Sequence, residues 1–318
     1  MGFKKIIIIL FFLISFSKIE AQIQYPFPVK YFTVNIDEQQ SKMAYMDVLP
    51  KQPNGETVIL FHGKNFTAYY WTDVIAFLTD AGYRVIAPDQ IGWGQSSKPN
   101  TKYTFELLAR NNKLLLESLN IDKAIVAGHS MGGMLATRFA LMFPEKTEKL
   151  ILEDPLGLED YKKFVPYKTM EQQYKKEQEA TYASYKKNQQ TYYPVWKPEY
   201  ERFVIAQSEP LKQQDFSSVA WVNALTYQMI YEQPVMYEFE KLTMPVLLLV
   251  GQLDRSVVGK ELLSKQKQKL YGNYPTLATK AAKKIKNSKL VILPGVGHIP
   301  HIQTLSIFKK HVLEFLHS

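Results

Sequence analysis

One short stretch constrains this chain more than any other. A β-branched apolar run, Ile125-Val126-Ala127, passes through Gly128-His129-Ser130-Met131-Gly132-Gly133 into an apolar helical segment beginning Met134-Leu135-Ala136. A buried strand must hand over to a helix within a few residues, with glycines where side chains would collide with neighbouring elements. Steps of this kind belong to α/β architectures, in which helices cover both faces of a mostly parallel sheet. The same rhythm runs through the chain. Strands are expected at residues 30–36, 42–49, 57–61, 83–87, 123–127, 149–152, 245–250 and 290–293, giving an eight-stranded sheet. The polar turn Asp37-Glu38-Gln39-Gln40 separates the first two. Helices are expected over 69–79, over 105–119 behind Thr104 as N-cap, over 130–142 and over 305–316.

The rhythm stops between residues 158 and 234. That interval has no convincing buried strand, and it holds ten of the chain's 20 tyrosines together with Trp196 and Trp221. The simplest organisation is an α/β core, residues 22–157 and 235–318, interrupted by a helical cap at 158–234. A length of 318 residues with 46% hydrophobic composition suits one such domain better than two independent ones. Residues 1–21 read as a signal peptide: Lys4 and Lys5 precede an almost wholly apolar run at 6–16, then Lys18 and the small residue Ala21. Eleven residues fall short of the roughly 20 that span a bilayer. Cleavage near Ala21 and export, periplasmic or secreted, are expected, with an uncleaved anchor as the alternative. The absence of cysteine excludes disulfides, a lipidated cysteine and zinc-finger spacing.

The formal charge of +9 is uneven. From Lys260 to Lys289 there are nine lysines and one acid, Glu261. Weak association of residues 260–289 with an anionic envelope surface is one reading of this patch; solvated helix faces are the other. No interleaving of aromatic and basic residues suggests a nucleic-acid platform, so no nucleic-acid partner is expected.

A serine on a sharp strand-to-helix turn projects its hydroxyl from the sheet edge, and the helix N-terminus aims backbone N–H groups at developing negative charge. Ser130 is therefore the expected nucleophile. Such a hydroxyl needs a general base. His298 follows the strand at 290–293 through Pro294-Gly295-Val296-Gly297, which suits a base swung over the sheet edge, and His301 is the alternative. His129 should point away from the reaction, and His311 and His317 lie on the terminal helix. Asp254 follows the strand at 245–250 through Gly251-Gln252-Leu253 and can orient the imidazole. Glu153 and Asp154 are the alternative acids. Charge on a carbonyl oxygen needs preorganised donors. The expected oxyanion hole is Met131 N–H with Lys64 N–H, Asn65 being second choice for the latter. His62 braces that loop rather than reacts.

Together these segments resemble the α/β-hydrolase superfamily, in its cap-bearing branch related to epoxide hydrolases, haloalkane dehalogenases, proline iminopeptidases and carbon–carbon bond hydrolases. The resemblance rests on Phe61-His62-Gly63, Asp89-Gln90-Ile91-Gly92-Trp93-Gly94-Gln95-Ser96, Gly128 to Gly133, Gly251-Gln252-Leu253-Asp254 and Gly297-His298, in family order. It implies a structural role for Asp89 and puts the oxyanion position after His-Gly on Lys64. Ser130 departs from the carboxylate nucleophile of epoxide hydrolases and dehalogenases, which argues against those activities. The resemblance also implies that the cap selects the substrate, with Trp71, Tyr174 and Tyr185 as candidate substrate-binding residues. Tyr174, Gln178 and Tyr185 would share one helical face, as a lid's underside would, the alternative being that these rings pack the cap onto the core. Lys64 and Arg255 hint at an anionic substrate.

The expected chemistry is hydrolysis of a carboxylic ester or lactone of a small to medium molecule through an acyl-enzyme, without metal or organic cofactor. Carbon–carbon, amide or iminopeptide hydrolysis and acyl transfer are alternatives using the same groups. A non-catalytic binding protein of this fold is the third reading.

Overall fold

Runs such as Thr57–Phe61, buried at every residue, require cover on both faces of a sheet. The computed structural model describes residues 23–318, so the expected leader at 1–21 lies outside the described residues. Its strands are β1 (Val29–Ile36), β2 (Gln39–Val48), β3 (Thr57–Phe61), β4 (Arg84–Pro88), β5 (Ala124–His129), β6 (Thr147–Glu153), β7 (Val246–Gly251) and β8 (Ser288–Leu293). They form one eight-stranded sheet in the order β1-β2-β4-β3-β5-β6-β7-β8. Only β1 with β2 and β2 with β4 pair antiparallel. The first hairpin turn is tighter than the four polar residues suggested. Asp37 (φ 48°) and Glu38 (φ 63°) take left-handed conformations, and Gln39 and Gln40 already pair with Ile36 and Asn35.

Helices α1 (Thr72–Asp80), α2 (Phe105–Ser118) and α3 (Met131–Met142) cover the first half of the sheet. The expected helix at 69–79 is split, its start being a 3-10 turn at Ala68–Trp71. Thr104 does cap α2, its hydroxyl accepting Leu107 N–H at 3.0 Å. Between β6 and β7 come α4 (Met170–Gln178), α5 (Tyr182–Gln190), α6 (Glu201–Ser208) and α7 (Phe216–Glu232), and no strand lies there among the described residues. Thr181 starts α5 with a reciprocal capping box to Ser184, which ends any helical face shared by Tyr174, Gln178 and Tyr185. The last helices are α8 (Lys265–Leu270), α9 (Tyr274–Lys284), α10 (Pro300–Gln303) and α11 (Leu305–Leu316).

The sheet divides the core into two apolar layers. Phe105, Leu116 and Phe139 pack on one side, from α2 and α3, and Ile75, Phe308 and Phe315 on the other, from α1 and α11. Each such side chain contributes about 1.5–3 kcal/mol when fully buried. The two layers hold β5, β6, β7 and β8 rigidly, and their C-terminal ends lie along one rim.

Candidate active site

Ser130 sits between β5 and α3 at φ 57° and ψ −120°, a region costly for any residue with a side chain. The turn is enforced by close packing. A Cβ at Gly128 would run into the Gly132 carbonyl, and one at Gly132 would run into the Phe61 carbonyl. Ser130 N–H donates to the Glu153 carbonyl at 3.1 Å, which fastens the turn to the end of β6.

The structure brings Ser130, His298 and Asp254 together. His298 Nε2 lies 3.0 Å from Ser130 Oγ, and His298 Nδ1 lies 2.7 Å from Asp254 Oδ2. All three are buried, at 6%, 3% and 2% exposure, so these bonds act with little water to weaken them. Asp254 Oδ1 accepts Ser256 N–H at 2.8 Å. A fourth group joins them. Asp154, the other acid at the end of β6, shares a hydrogen bond with Asp254 and accepts Gly251 N–H at 3.0 Å. Burial first, and then the adjacent Asp254 carboxylate, push Asp154 well above the usual carboxylate range, so it serves as a neutral acid donating to Asp254. Burial also raises Asp254, but the His298 imidazole and the donors from Asp154 and Ser256 outweigh it and keep Asp254 below the usual range.

Two N–H groups point toward the same place because the carbonyls across their peptides are fixed. The Gly63 carbonyl accepts His62 Nδ1–H at 2.9 Å and Phe66 N–H at 3.1 Å, so Lys64 N–H must face the opposite way. The Ser130 carbonyl accepts Gly133 N–H at 2.9 Å and Leu156 N–H at 3.0 Å, which aims Met131 N–H likewise. Among the described residues neither N–H has a partner. His62 is a brace: its Nε2 accepts Gln90 N–H at 3.0 Å, and burial lowers its pKa and keeps it neutral. Asp89 is likewise structural, accepting Ala68 N–H at 2.7 Å and Gln95 N–H at 2.8 Å.

His129 turns away from Ser130. Its Nε2–H donates to the His298 carbonyl at 2.7 Å and its Nδ1 accepts from Tyr70 Oη at 3.1 Å, while Tyr70 accepts Gly63 N–H at 2.9 Å. Burial, with the neighbouring His298 and His301, pushes the His129 pKa well down. His301 does not reach Ser130; it is bonded to Glu153 instead. Asn65, the second choice for the oxyanion donor, sends its side-chain amide to Tyr192 Oη at 2.7 Å.

A cavity of about 470 Å³ opens beside the oxyanion loop, between the sheet edge and the helices inserted after β6. Its walls include Phe66, Tyr69, Trp93, Phe203 and Val219, with Lys64 and Lys98 at polar positions. The three expected substrate contacts lie away from this cavity, whose lining does not include Ser130 or His298 either. Trp71 is fully buried and stacks on His301 at 4.3 Å, behind the site. Tyr174 packs edge-on against Trp221, and neither it nor Tyr185 lines the cavity. The hint of an anionic substrate also weakens. Lys64 Nζ is 3.7 Å from Glu177, Arg255 donates to the Gln252 and Asp254 carbonyls, and Lys98 donates to the Gly94 and Ser96 carbonyls. Sequence reasoning missed Tyr192, whose carbonyl accepts His298 N–H at 2.8 Å and whose ring lies 5.1 Å from the imidazole. It also missed Trp93, which donates to the Lys64 carbonyl at 2.6 Å.

Comparison with known proteins bears on the fold. A model of the alpha/beta hydrolase fold matches residues 56–304. A probable hydrolytic enzyme of known structure from Pseudomonas aeruginosa PAO1 is 44% identical, with a TM-score of 0.90 over 92% of this chain and 95% of its own. The enol-lactonase from Burkholderia xenovorans LB400 shares the fold alone: 18% identity and a TM-score of 0.70, over 90% of this chain and 100% of its own. The 2-hydroxy-6-oxo-6-phenylhexa-2,4-dienoate hydrolase from Burkholderia cepacia is 43% identical over 108 residues, which is 33% of this chain and 38% of that protein. The chain spans about a third of the length of the curated relatives it matches.

Proposed function

The chain belongs to the alpha/beta hydrolase family, and from that premise we propose that it is a hydrolase that cleaves a neutral carboxylic ester or lactone through an acyl-enzyme on Ser130. The observation that carries this reading is the unbroken series Ser130 Oγ, His298 Nε2, His298 Nδ1 and Asp254 Oδ2 beside the N–H groups of Met131 and Lys64, which have no partner among the described residues.

His298 Nε2 takes the Ser130 proton as Oγ attacks the substrate carbonyl. Asp254 stabilises the resulting imidazolium, and Met131 N–H and Lys64 N–H receive the oxyanion, each such donor being worth on the order of 10²–10³ in rate. The imidazolium then protonates the leaving alkoxide. Water enters in its place and attacks the acyl carbon as His298 takes its proton; the acyl–Oγ bond then breaks, the imidazolium returns the proton to Ser130 Oγ, and the acid leaves. The aromatic walls of the cavity supply an apolar seat for one arm of the substrate. Engagement of Lys64, Lys98 and Arg255 by protein acceptors favours an uncharged arm. Residues 158–234 act in this proposal as the cap that closes the cavity. Export with cleavage near Ala21 belongs to the same proposal, and N-terminal sequencing of the mature protein tests it.

A fluorophosphonate probe should label the wild type and leave Ser130→Ala unlabelled. A panel of chromogenic esters and lactones should then show turnover. Labelling at Ser130 with a wholly inert panel would overturn the ester reading in favour of carbon–carbon or amide cleavage. Labelling at another residue would overturn the site itself.

A further inference from the structure

Glu153 is the last residue of β6 and is buried, and none of the steps above uses its carboxylate. Its backbone carbonyl holds Ser130 N–H at 3.1 Å. Its side chain holds the other reacting loop. Oε1 accepts His301 N–H at 2.8 Å, and both oxygens lie 2.9 Å from His301 Nδ1. The His301 ring is boxed by Trp71, stacked at 4.3 Å, and by Tyr70, edge-on at 4.8 Å, and its Nε2 has no partner among the described residues.

We propose that Glu153 and His301 are positioning residues that set the spacing between nucleophile and base. The inference rests on the serine-hydrolase reading of Ser130 and His298. The loop before His298, Pro294-Gly295-Val296-Gly297, contains two glycines and cannot fix the imidazole by its own stiffness. Three residues past the base, the chain is clamped by the Glu153 side chain, while the same residue's main chain clamps the serine. One residue thus ties together the two partners of the 3.0 Å Ser130–His298 contact. The aromatic box keeps water from competing for the clamp, so its bonds are strong when made and costly when one partner is lost. A misplacement of 1 Å between reacting groups costs about 100-fold in rate.

The test compares three variants by near-UV circular dichroism, steady-state kinetics on a turned-over ester and the second-order rate of fluorophosphonate labelling. In Glu153→Gln one acceptor becomes an amide N–H₂ facing a donor. A fall in kcat of about 10- to 100-fold is expected, with KM within about twofold of wild type and labelling slowed in parallel. His301→Phe fills the box without a donor and should behave the same way. His301→Asn places an amide N–H near the lost Nδ1–H and should recover most of the rate. Folded Glu153→Gln and His301→Phe proteins with wild-type kcat and labelling rate would overturn the proposal, as would a loss seen in KM alone. If His301→Phe does not fold, Glu153→Gln decides. A wild type unlabelled at Ser130 would strike the serine-hydrolase reading instead, so the two failures are distinguishable.

Discussion

At the sheet edge, Ser130, Asp254 and His298 each follow the end of a strand by one to five residues. The parallel pairing of β5 through β8 aligns those ends: His129 lies opposite Glu153, Glu153 opposite Leu249, and Gly251 opposite Leu293. Backbone hydrogen bonds do the placing. The inserted helices α4 to α7 are held to the core by another means. Asn65 donates to Tyr192, Arg202 to Asp73 and Trp221 to Asn100 through side chains, with the Tyr192 carbonyl adding one backbone bond to His298 N–H. Groups that must be accurate to tenths of an ångström hang from the sheet, and groups that meet a variable substrate hang from side-chain contacts. Substitutions on the sheet edge should therefore act on kcat, and those in the insertion on KM.

The largest effect should come from Ser130→Ala, with a kcat loss on the order of 10⁵–10⁶ and no change in fold. Steady-state turnover measured beside circular dichroism checks it. Next comes Asp254→Asn, which leaves His298 in the wrong tautomer and should lower kcat by about 10⁴. A loss of only about 10² would mean that Asp154 had taken over, which pH–rate profiles of the single and double variants would reveal.

Asp154→Asn sharpens the picture of the sheet edge through stability. Because the folded state holds the Asp154 proton more tightly than the unfolded chain does, its contribution is fully present below the ordinary carboxylate pKa. It is lost progressively as pH rises from about 4 toward the raised folded value. Asparagine carries no such proton, so the melting temperature of the variant relative to wild type should climb from pH 4 to pH 7. A pH-independent difference would mean that Asp154 is not held neutral. In the insertion, Tyr192→Phe removes the hydroxyl that accepts Asn65 and Asn188 but keeps the ring and the carbonyl. One net hydrogen bond of about 1 kcal/mol corresponds to about fivefold in KM with kcat little changed. An equal fall in kcat would break the distinction between the two regions. The smallest effect belongs to Arg202→Ala, which cuts a half-exposed pair with Asp73 and should cost under about 1 kcal/mol in denaturant unfolding.

The eight-stranded α/β sheet was legible because fully buried strands read as unbroken apolar runs, and Thr57–Phe61 was placed to the residue. The grouping of Ser130, Asp254 and His298 was legible for a related reason. Ser130 and Asp254 follow buried runs by one and three residues, and His298 follows the half-buried β8 by five, so strand direction sends all three to one edge. The carboxylates around the end of β6 were seen as acids but not sorted, since Asp154 lies just past the strand with φ at 36°, a turn the sequence does not announce. Asp154 went to Asp254 and Glu153 to His301. The surroundings of Trp71, Tyr174 and Tyr185 were not legible, because a ring's spacing on a helix does not say whether it meets a cavity or a neighbouring ring. Tyr192 had no local signal at all, as its role depends on a backbone carbonyl 106 positions before the residue it holds.

The backbone at Ser130, with φ at 57°, carries a further implication. Such a conformation costs of order 1–3 kcal/mol for a residue with a side chain, and glycine adopts it without that penalty. Replacing Ser130 with glycine should therefore give an inert protein that melts higher than the active one. Selection for durability alone would erase the nucleophile, and only a requirement for turnover keeps a hydroxyl at that position.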